Sequence, residues 1–289
     1  MIMKNYKTSN LVIQNICLLI PLILYGIFKN GYLVYEKGLI NFVDIFKPLY
    51  LVIIGVIIKI IIDVIRYKKI KIDYNFIYVI LVGMIMPNNI NLLIYLINFI
   101  ILYILALFLE KYFRFNKVCF IYLIIILINF IFNDFSFKSI LEENYSFSFS
   151  FLDLLMGRSI GGISSTSIIF SLLGYIILIS NFYYKKDIPL TINLIYLLLS
   201  IIYFINTNDN SILLNSDLIF ASIFISSLPE YSPYKNVNQI IYGILIGIFS
   251  FVLAITFNNI ISVYIATFIV SLFQNIKLRK KKVKLSILE

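Results

Sequence analysis

Met86-Pro87-Asn88-Asn89 and Leu228-Pro229-Glu230-Tyr231-Ser232-Pro233 each bring an apolar run to a halt at a proline, and each run is shorter than a bilayer crossing requires. Proline removes a backbone donor and frees a carbonyl upstream. Such interrupted backbone is tolerated at membrane depth only where protein buries it or a wet cavity lines it. Short, proline-interrupted segments at corresponding positions of two halves point to an inverted-repeat membrane protein with a central site. The plainer alternative is that both prolines end helices at the membrane interface.

The remainder of the chain supplies the two halves. Of its 289 residues, 61% are hydrophobic and 13% charged, against roughly half and a quarter in a soluble domain. Apolar runs predict ten spans, near 11–28, 48–65, 75–87, 91–109, 118–133, 154–183, 190–205, 212–228, 239–257 and 260–275. The proline stops fall in the third and eighth, five helices apart. Five is odd, so the second set of five runs inverted relative to the first. The expectation is an all-α polytopic membrane protein with about ten transmembrane helices in two inverted five-helix repeats. It forms one membrane domain over 1–289: repeat one near 11–133, an outer loop at 134–150, repeat two near 151–275 and a basic tail at 276–289.

Charge orients the spans. With the N-terminus inside, 18 of the 24 basic residues fall on the cytoplasmic side, among them Arg66, Lys68, Lys111, Lys117, Lys185, Lys186 and the cluster Lys277 to Lys284. Asp134, Glu142, Glu143, Asp209 and Asp217 fall on the other side. This segregation follows the positive-inside rule and predicts a multi-pass cell-membrane protein with both termini cytoplasmic. The first span has two lysines before it and no small-residue cleavage site, so it reads as a retained helix. The net charge of +10 marks topology and contact with the lipid bilayer. It does not indicate nucleic acid, because the basic residues lie between apolar segments rather than on one soluble face. Lys59 and Asp63, four apart within the second span, either pair with each other or snorkel to its cytoplasmic end.

The composition excludes several chemistries. The chain has no His, hence no imidazole base, His-ligated haem or His metal site. Two cysteines, Cys17 and Cys119, are too few for an iron–sulfur cluster and read as small buried hydrophobes. Any electron carried here therefore travels on an organic cofactor.

The most distinctive stretch opens the sixth span: Asp153-Leu154-Leu155-Met156-Gly157-Arg158-Ser159-Ile160-Gly161-Gly162-Ile163-Ser164-Ser165-Thr166-Ser167. Three of the 11 glycines fall within six residues, and four hydroxyl side chains follow in a row. Glycine admits close approach of another backbone or a flat ligand, and free N–H groups at a helix start attract anions. Small-residue helix packing is the alternative.

This stretch resembles the signature of the RnfD family of the Rnf electron-transport complex, which is related to the NqrB family of the sodium-translocating NADH:quinone reductase. Members typically read Asp-Leu-x-x-Gly, then x-x-Pro-Gly-Ser-Ile-Gly-Glu-Thr-Ser and an apolar run ending in Gly. Asp153, Leu154, Gly157, Gly161, Ile163, Thr166, Ser167 and Gly174 match without gaps. Lys186-Asp187-Ile188-Pro189 resembles the family's Trp-Arg-Ile-Pro. Phe224, Pro229, Ser232, Pro233, Tyr242 and Gly243 match its Phe-Met-Ala-Thr-Asp-Pro-x-x-Ser-Pro and the Tyr-Gly that follows. In the first half, Pro87 and Phe115-Asn116 resemble Leu-Pro-Pro and Phe-Asn-Pro-Ala.

The departures are equally specific. The outer-loop Ser-Gly-Ala-Thr-like motif, whose Thr is esterified to FMN in the family, has Ser136-Phe137-Lys138-Ser139-Ile140-Leu141 as its local counterpart. Ser139 takes the Thr position and the Gly-Ala pair is missing. The signature's Glu is Ser165, the Asp of Asp-Pro is Leu228 and the Pro of Phe-Asn-Pro is Lys117. Intramembrane carboxylates are costly and usually functional, so these losses weaken any cation site they formed.

The resemblance implies a membrane subunit of an ion-translocating ferredoxin:NAD oxidoreductase. It would work with other Rnf-type membrane and iron–sulfur subunits, reach ferredoxin and NAD through them, and move Na+ or H+. It would hold FMN or another flavin, with Ser139, Gly161, Thr166 and Ser167 as cofactor-binding residues. The ion path would run beside the broken helices, at Pro87, Asn88, Ser227, Pro229, Ser232 and Pro233. The alternative is a secondary transporter or small-molecule membrane binder that kept the scaffold and lost the redox role.

Overall fold

The computed structural model describes residues 2–132, 136–138, 151–208, 212–213, 215–257 and 259–286. Among them all regular structure is helical. The first span is α1 (Ile2–Ile27), continued by a π turn at Phe28–Tyr32 and a last turn, α2 (Leu33–Glu36). The second is α3 (Lys47–Tyr67), the third α4 (Tyr74–Ile85), the fourth α5 (Leu92–Leu109) and the fifth α6 (Lys117–Phe132). The second half holds α7 (Phe151–Met156), α8 (Ile168–Ile179), α9 (Asp187–Thr207) and α10 (Ser216–Ala221), which runs into a π turn at Ser222–Ser226. α11 (Asn236–Thr256) and α12 (Asn259–Ser286) complete it.

One expectation needs correcting. The sixth span is not one helix over 154–183. α7 stops at Met156, the backbone runs non-helically through 157–167, and α8 begins at Ile168. The glycines explain the break: Gly157 sits at φ +100, where only glycine is comfortable.

Two helices are short because they end inside the protein. The twelve residues of α4 reach only about 18 Å, against about 30 Å of hydrocarbon. Residues 77–85 of α4 are all buried, as are nearly all of 216–226. A helix that is apolar all round and buried all round belongs to an interior. The longer helices bury one face only. α5 buries Tyr95, Phe99, Leu102, Tyr103 and Ala106, and exposes Leu93, Ile97, Ile101 and Ile104 on the opposite side. In water such an apolar surface would be an aggregation hazard; in lipid it is the expected outer wall. Five helical stretches, at 10–36, 42–67, 92–109, 187–207 and 236–256, are long and apolar enough to cross a membrane, and five shorter apolar helices accompany them. This is a multi-pass membrane protein.

The halves share one packing pattern. α4 packs on α3, α1 and α6, while α10 with its π turn packs on α9, α8 and α12. α3 meets α5 as α9 meets α11. Close approach rests on glycine: Gly83 abuts the Leu51–Val52 backbone, and Gly243 and Gly247, four apart, admit Thr191 and Ile195 of α9.

Lys59 and Asp63 do not snorkel. Both are buried and paired at 2.5 Å, and the ammonium also reaches Asp73 at 3.3 Å and the Lys71 carbonyl. Of the cysteines, Cys119 is buried as expected, whereas Cys17 is exposed on α1.

Candidate functional site

The candidate site is built around residues 157–167. A helix end leaves its last carbonyls without intrahelical donors, and α4 does so inside the protein. The loop satisfies them: Ile163 N donates to Met86 O at 2.8 Å and Ser164 N to Met84 O at 2.9 Å. Gly162 allows the contact, since a Cβ there would lie 2.9 Å from the Ile85 backbone. The π turn of the first span braces the loop from outside. Asn30 Nδ2 donates to Ile163 O at 2.7 Å, and the buried Lys29 Nζ to Ser159 O at 2.5 Å.

The loop's other face meets the start of α10. Asn215 caps that helix by accepting from Leu218 N at 3.0 Å, which puts Asp217 in its first turn, 1% exposed. Asp217 Oδ1 accepts from Ser165 Oγ at 2.5 Å and Tyr264 OH at 3.0 Å, and Gly162 N lies 3.4 Å from both carboxylate oxygens. Ser159 and Ser216 share a hydroxyl hydrogen bond of 2.9 Å. A side chain at Gly161 would collide with the Asp217 carboxylate. Thr166 and Ser167 are buried, and Ser167 caps α8 through Phe170 N.

Spatial neighbours alter the meaning of the departures. Ser165 stands where the family signature has Glu, yet a carboxylate is present because α10 delivers Asp217 to it. Leu228 stands for the second acid, and Glu230, two residues on, accepts from Tyr78 OH at 2.6 Å. Lys117 stands for proline; its buried ammonium pairs with Glu110 at 2.6 Å and donates to Asn75 Oδ1 at 2.7 Å. Burial pushes the Glu230 carboxyl above its ordinary range.

Each proline stop also receives a lysine. Beyond α4, Lys47 Nζ donates to Asn88 O at 2.7 Å, and Asn88 Nδ2 donates to Phe137 O at 2.9 Å. Beyond α10, Lys185 Nζ donates to Pro229 O at 3.0 Å, Ser232 O at 2.6 Å and Ser232 Oγ at 2.8 Å. Its ammonium also lies 4.3 Å from the Tyr234 ring centroid. Burial lowers the Lys185 amine to about 7.

The sequence-derived residues thus form two groups. Gly161, Thr166 and Ser167 lie on the loop that bonds to Met84 and Met86, just ahead of Pro87 and Asn88. Ser227, Pro229, Ser232 and Pro233 lie at the opposite end of α10, about 15 Å along it at 1.5 Å per residue. Ser139 falls outside the described residues. Sequence reasoning missed Asp217, Lys47 and Lys185 as site residues. Asp217 and Lys185 counted there as loop charges, although Asn215, a good N-cap residue, already signals that Asp217 opens a helix.

Two buried half-helices, one with a glycine–serine loop on its terminal carbonyls and each followed by a turn that a lysine holds, define a membrane protein with a polar interior. The profile of the NQR2, RnfD, RnfE family matches residues 123–277, from α6 through most of α12. The chain belongs to that family. It is accordingly a multi-pass membrane subunit of a multi-subunit, ion-translocating complex. Comparison with curated proteins one by one gives no match.

Proposed function

We propose that the chain is the RnfD-type component of an Rnf complex, a ferredoxin:NAD oxidoreductase, and that it contributes a flavin and part of a path for Na+ or H+. The observation that carries this reading is the family match over 123–277, which spans the outer loop and the glycine–serine signature. Ferredoxin and NAD would be met by iron–sulfur and nucleotide-binding partner subunits. Both termini would face the cytoplasm, and the two five-helix halves would be inverted repeats. A bound flavin would supply the redox chemistry.

The residues around Gly161 fit a supporting role better than a flavin pocket. The space beside Gly161 and Gly162 is taken up by Asp217, Thr166, Ser165 and Ile85, so a flavin lying against these glycines would have to displace them. Flavin attachment therefore rests on the outer loop, with Ser139 in place of the family's Thr. For the ion path, Asp217, Ser165 and Tyr264 offer a buried carboxylate with two hydroxyl partners, the sort of group expected along a proton or cation route. A second reading, a secondary transporter on the same scaffold, draws support from the missing Gly-Ala pair beside Ser139.

Flavin fluorescence separates the two. The purified protein, denatured and run on a gel, is expected to show a fluorescent band that Ser139→Ala abolishes. Absence of both covalent and extractable flavin, with no co-purifying subunits, would overturn the redox reading in favour of the transporter.

A further inference from the structure

We propose that the cavity between α8, α9 and α10 is a binding site for one anionic phospholipid, with an acyl chain filling the cavity and the phosphate resting on Lys186. The proposal depends on neither the flavin nor the ion-path reading.

α8 and α9 both pack on the half-helix α10 and its π turn, yet they leave a gap over it. The gap has a volume of about 320 Å3, at the small end of the range of ligand sites, roughly 300–1,000 Å3. Leu218 and Ile223, both buried, lie at its floor, and Leu172 of α8 with Leu190 and Leu194 of α9 stand at its rim. The three rim leucines are 42–51% exposed, so the cavity opens through the apolar surface that faces the bilayer. An empty gap there forfeits the dispersion contacts of its lining. A partner helix, about 10 Å across, is too wide to enter it, whereas a single hydrocarbon chain is not.

The polar groups of the lining are turned into the protein. Tyr196 OH donates to Asn259 Oδ1 at 2.9 Å, and Asn215 Nδ2 donates to Asn259 O at 2.6 Å. Asn193 Nδ2 donates to Pro189 O at 2.8 Å and to Ser222 Oγ at 2.9 Å, and its Oδ1 is unpartnered but buried. A ligand inside the cavity therefore meets an aliphatic wall and no converging hydrogen-bond groups, which suits an acyl chain and not a polar ring.

Charge supplies the head group. Tyr175 lines the cavity and donates its hydroxyl to Lys186 O at 3.0 Å, which places residue 186 at one end of the opening. Lys186 is exposed, at the cap position of α9. Phe182 and Tyr183, in the same turn, are 93% and 42% exposed, as aromatic residues are at the level of lipid head groups. A basic residue between transmembrane helices at that level binds anionic head groups. Asp187 is half-buried in the first turn of α9, where it complements the helix dipole. The selectivity expected is therefore that of a single lysine.

The test is native mass spectrometry of the full-length protein in detergent, titrated with phosphatidylglycerol or phosphatidylcholine of identical chains. Wild type is expected to form a one-to-one complex with each and to bind phosphatidylglycerol about fivefold more tightly. Lys186→Gln should bring phosphatidylglycerol down to the level of phosphatidylcholine. Leu194→Trp and Leu190→Trp, which each put a larger ring into the cavity, should abolish the one-to-one complex with both lipids. The two are alternatives should one fail to fold, and Lys186→Gln lies outside the cavity. Equal affinity of wild type for the two head groups would overturn the proposal. So would a preference that survives Lys186→Gln, or a complex that survives the tryptophan variants, since the lipid would then sit elsewhere on the surface. A molecule other than a phospholipid held one-to-one in the purified protein and lost in the tryptophan variants would also overturn it.

Discussion

Ser165 and Asp217, 52 residues apart, meet in a hydroxyl-to-carboxylate hydrogen bond of 2.5 Å that ties the loop before α8 to the first turn of α10. The loop also occupies the end of α4. One eleven-residue segment therefore fastens the half-helix α4 to the half-helix α10, and the carboxylate at the junction accepts from two hydroxyls and a backbone amide.

Replacing Asp217 tests that junction. Asp217→Ala leaves the Ser165 and Tyr264 hydroxyls and the Gly162 amide without their acceptor in a buried site, at about 1–3 kcal/mol per abandoned group. Asp217→Asn keeps an acceptor oxygen and should cost distinctly less. Ser165→Ala removes one charge-assisted bond, worth about 1.5–3 kcal/mol. Thermal unfolding in detergent should rank the variants Asp217→Ala, then Ser165→Ala and Asp217→Asn, then wild type. Equal stability of Asp217→Ala and wild type would show that the carboxylate is not the fastening.

The glycines should separate by what surrounds them. A Cβ at Gly162 meets the Ile85 backbone at 2.9 Å, which cannot yield without moving α4. At Gly174 the obstruction is the Phe224 ring edge at 2.8 Å, the end of a side chain that can turn. Gly162→Ala is expected to lower the yield of monodisperse protein severely, and Gly174→Ala mildly. The reverse order would mean that the loop does not pack on α4 as described.

Much of this was legible in the chain. The two proline stops marked the half-helices because a proline after a short apolar run is a backbone signal that needs no partner. The glycine–serine stretch announced a close approach, yet Asp153–Ser167 read as part of one long span. Hydropathy averages over a window and cannot see that Gly157 and the Gly161–Gly162 pair let the chain leave the helix. The charged residues were the least legible. Lys117 and Lys185 look like interfacial lysines by sequence position, and only the fold reveals that Glu110 and Asn75, or Pro229 and Ser232, are waiting for them.

Lys185 and Glu230 should leave opposite marks on the pH dependence of stability. Lys185 sits at about 7 in the folded protein and at roughly 10.4 when unfolded. Between those values the unfolded chain holds more protons, so this residue makes stability rise with pH across that window, by at most about 1.4 kcal/mol per unit. Glu230 is raised by burial, so above its unfolded value of roughly 4.3 the folded state holds the extra proton and stability falls as pH climbs. Subtracting the Tm profile of Lys185→Met from that of wild type should isolate the alkaline rise, and Glu230→Gln the acidic fall. A Lys185→Met profile parallel to wild type from pH 7 to 10 would contradict the burial-driven shift.

The Lys117–Glu110 pair offers a test in which removing the more exposed partner does the greater harm. Lys117 is 1% exposed while the Glu110 side chain is 38% exposed. Glu110→Gln strands a buried ammonium that keeps only Asn75 and the face of the Tyr78 ring. Breaking a fully buried pair in this way costs about 3–5 kcal/mol, and the exposure of Glu110 reduces that figure. Lys117→Met instead replaces the charge with an apolar chain of similar length, and Glu110 regains water. The expected order of Tm is wild type close to Lys117→Met, with Glu110→Gln lowest. The double variant should recover most of the loss, because its only function is to remove the stranded charge. A double variant no more stable than Glu110→Gln would mean that the ammonium is held by Asn75 and Tyr78 rather than by the carboxylate.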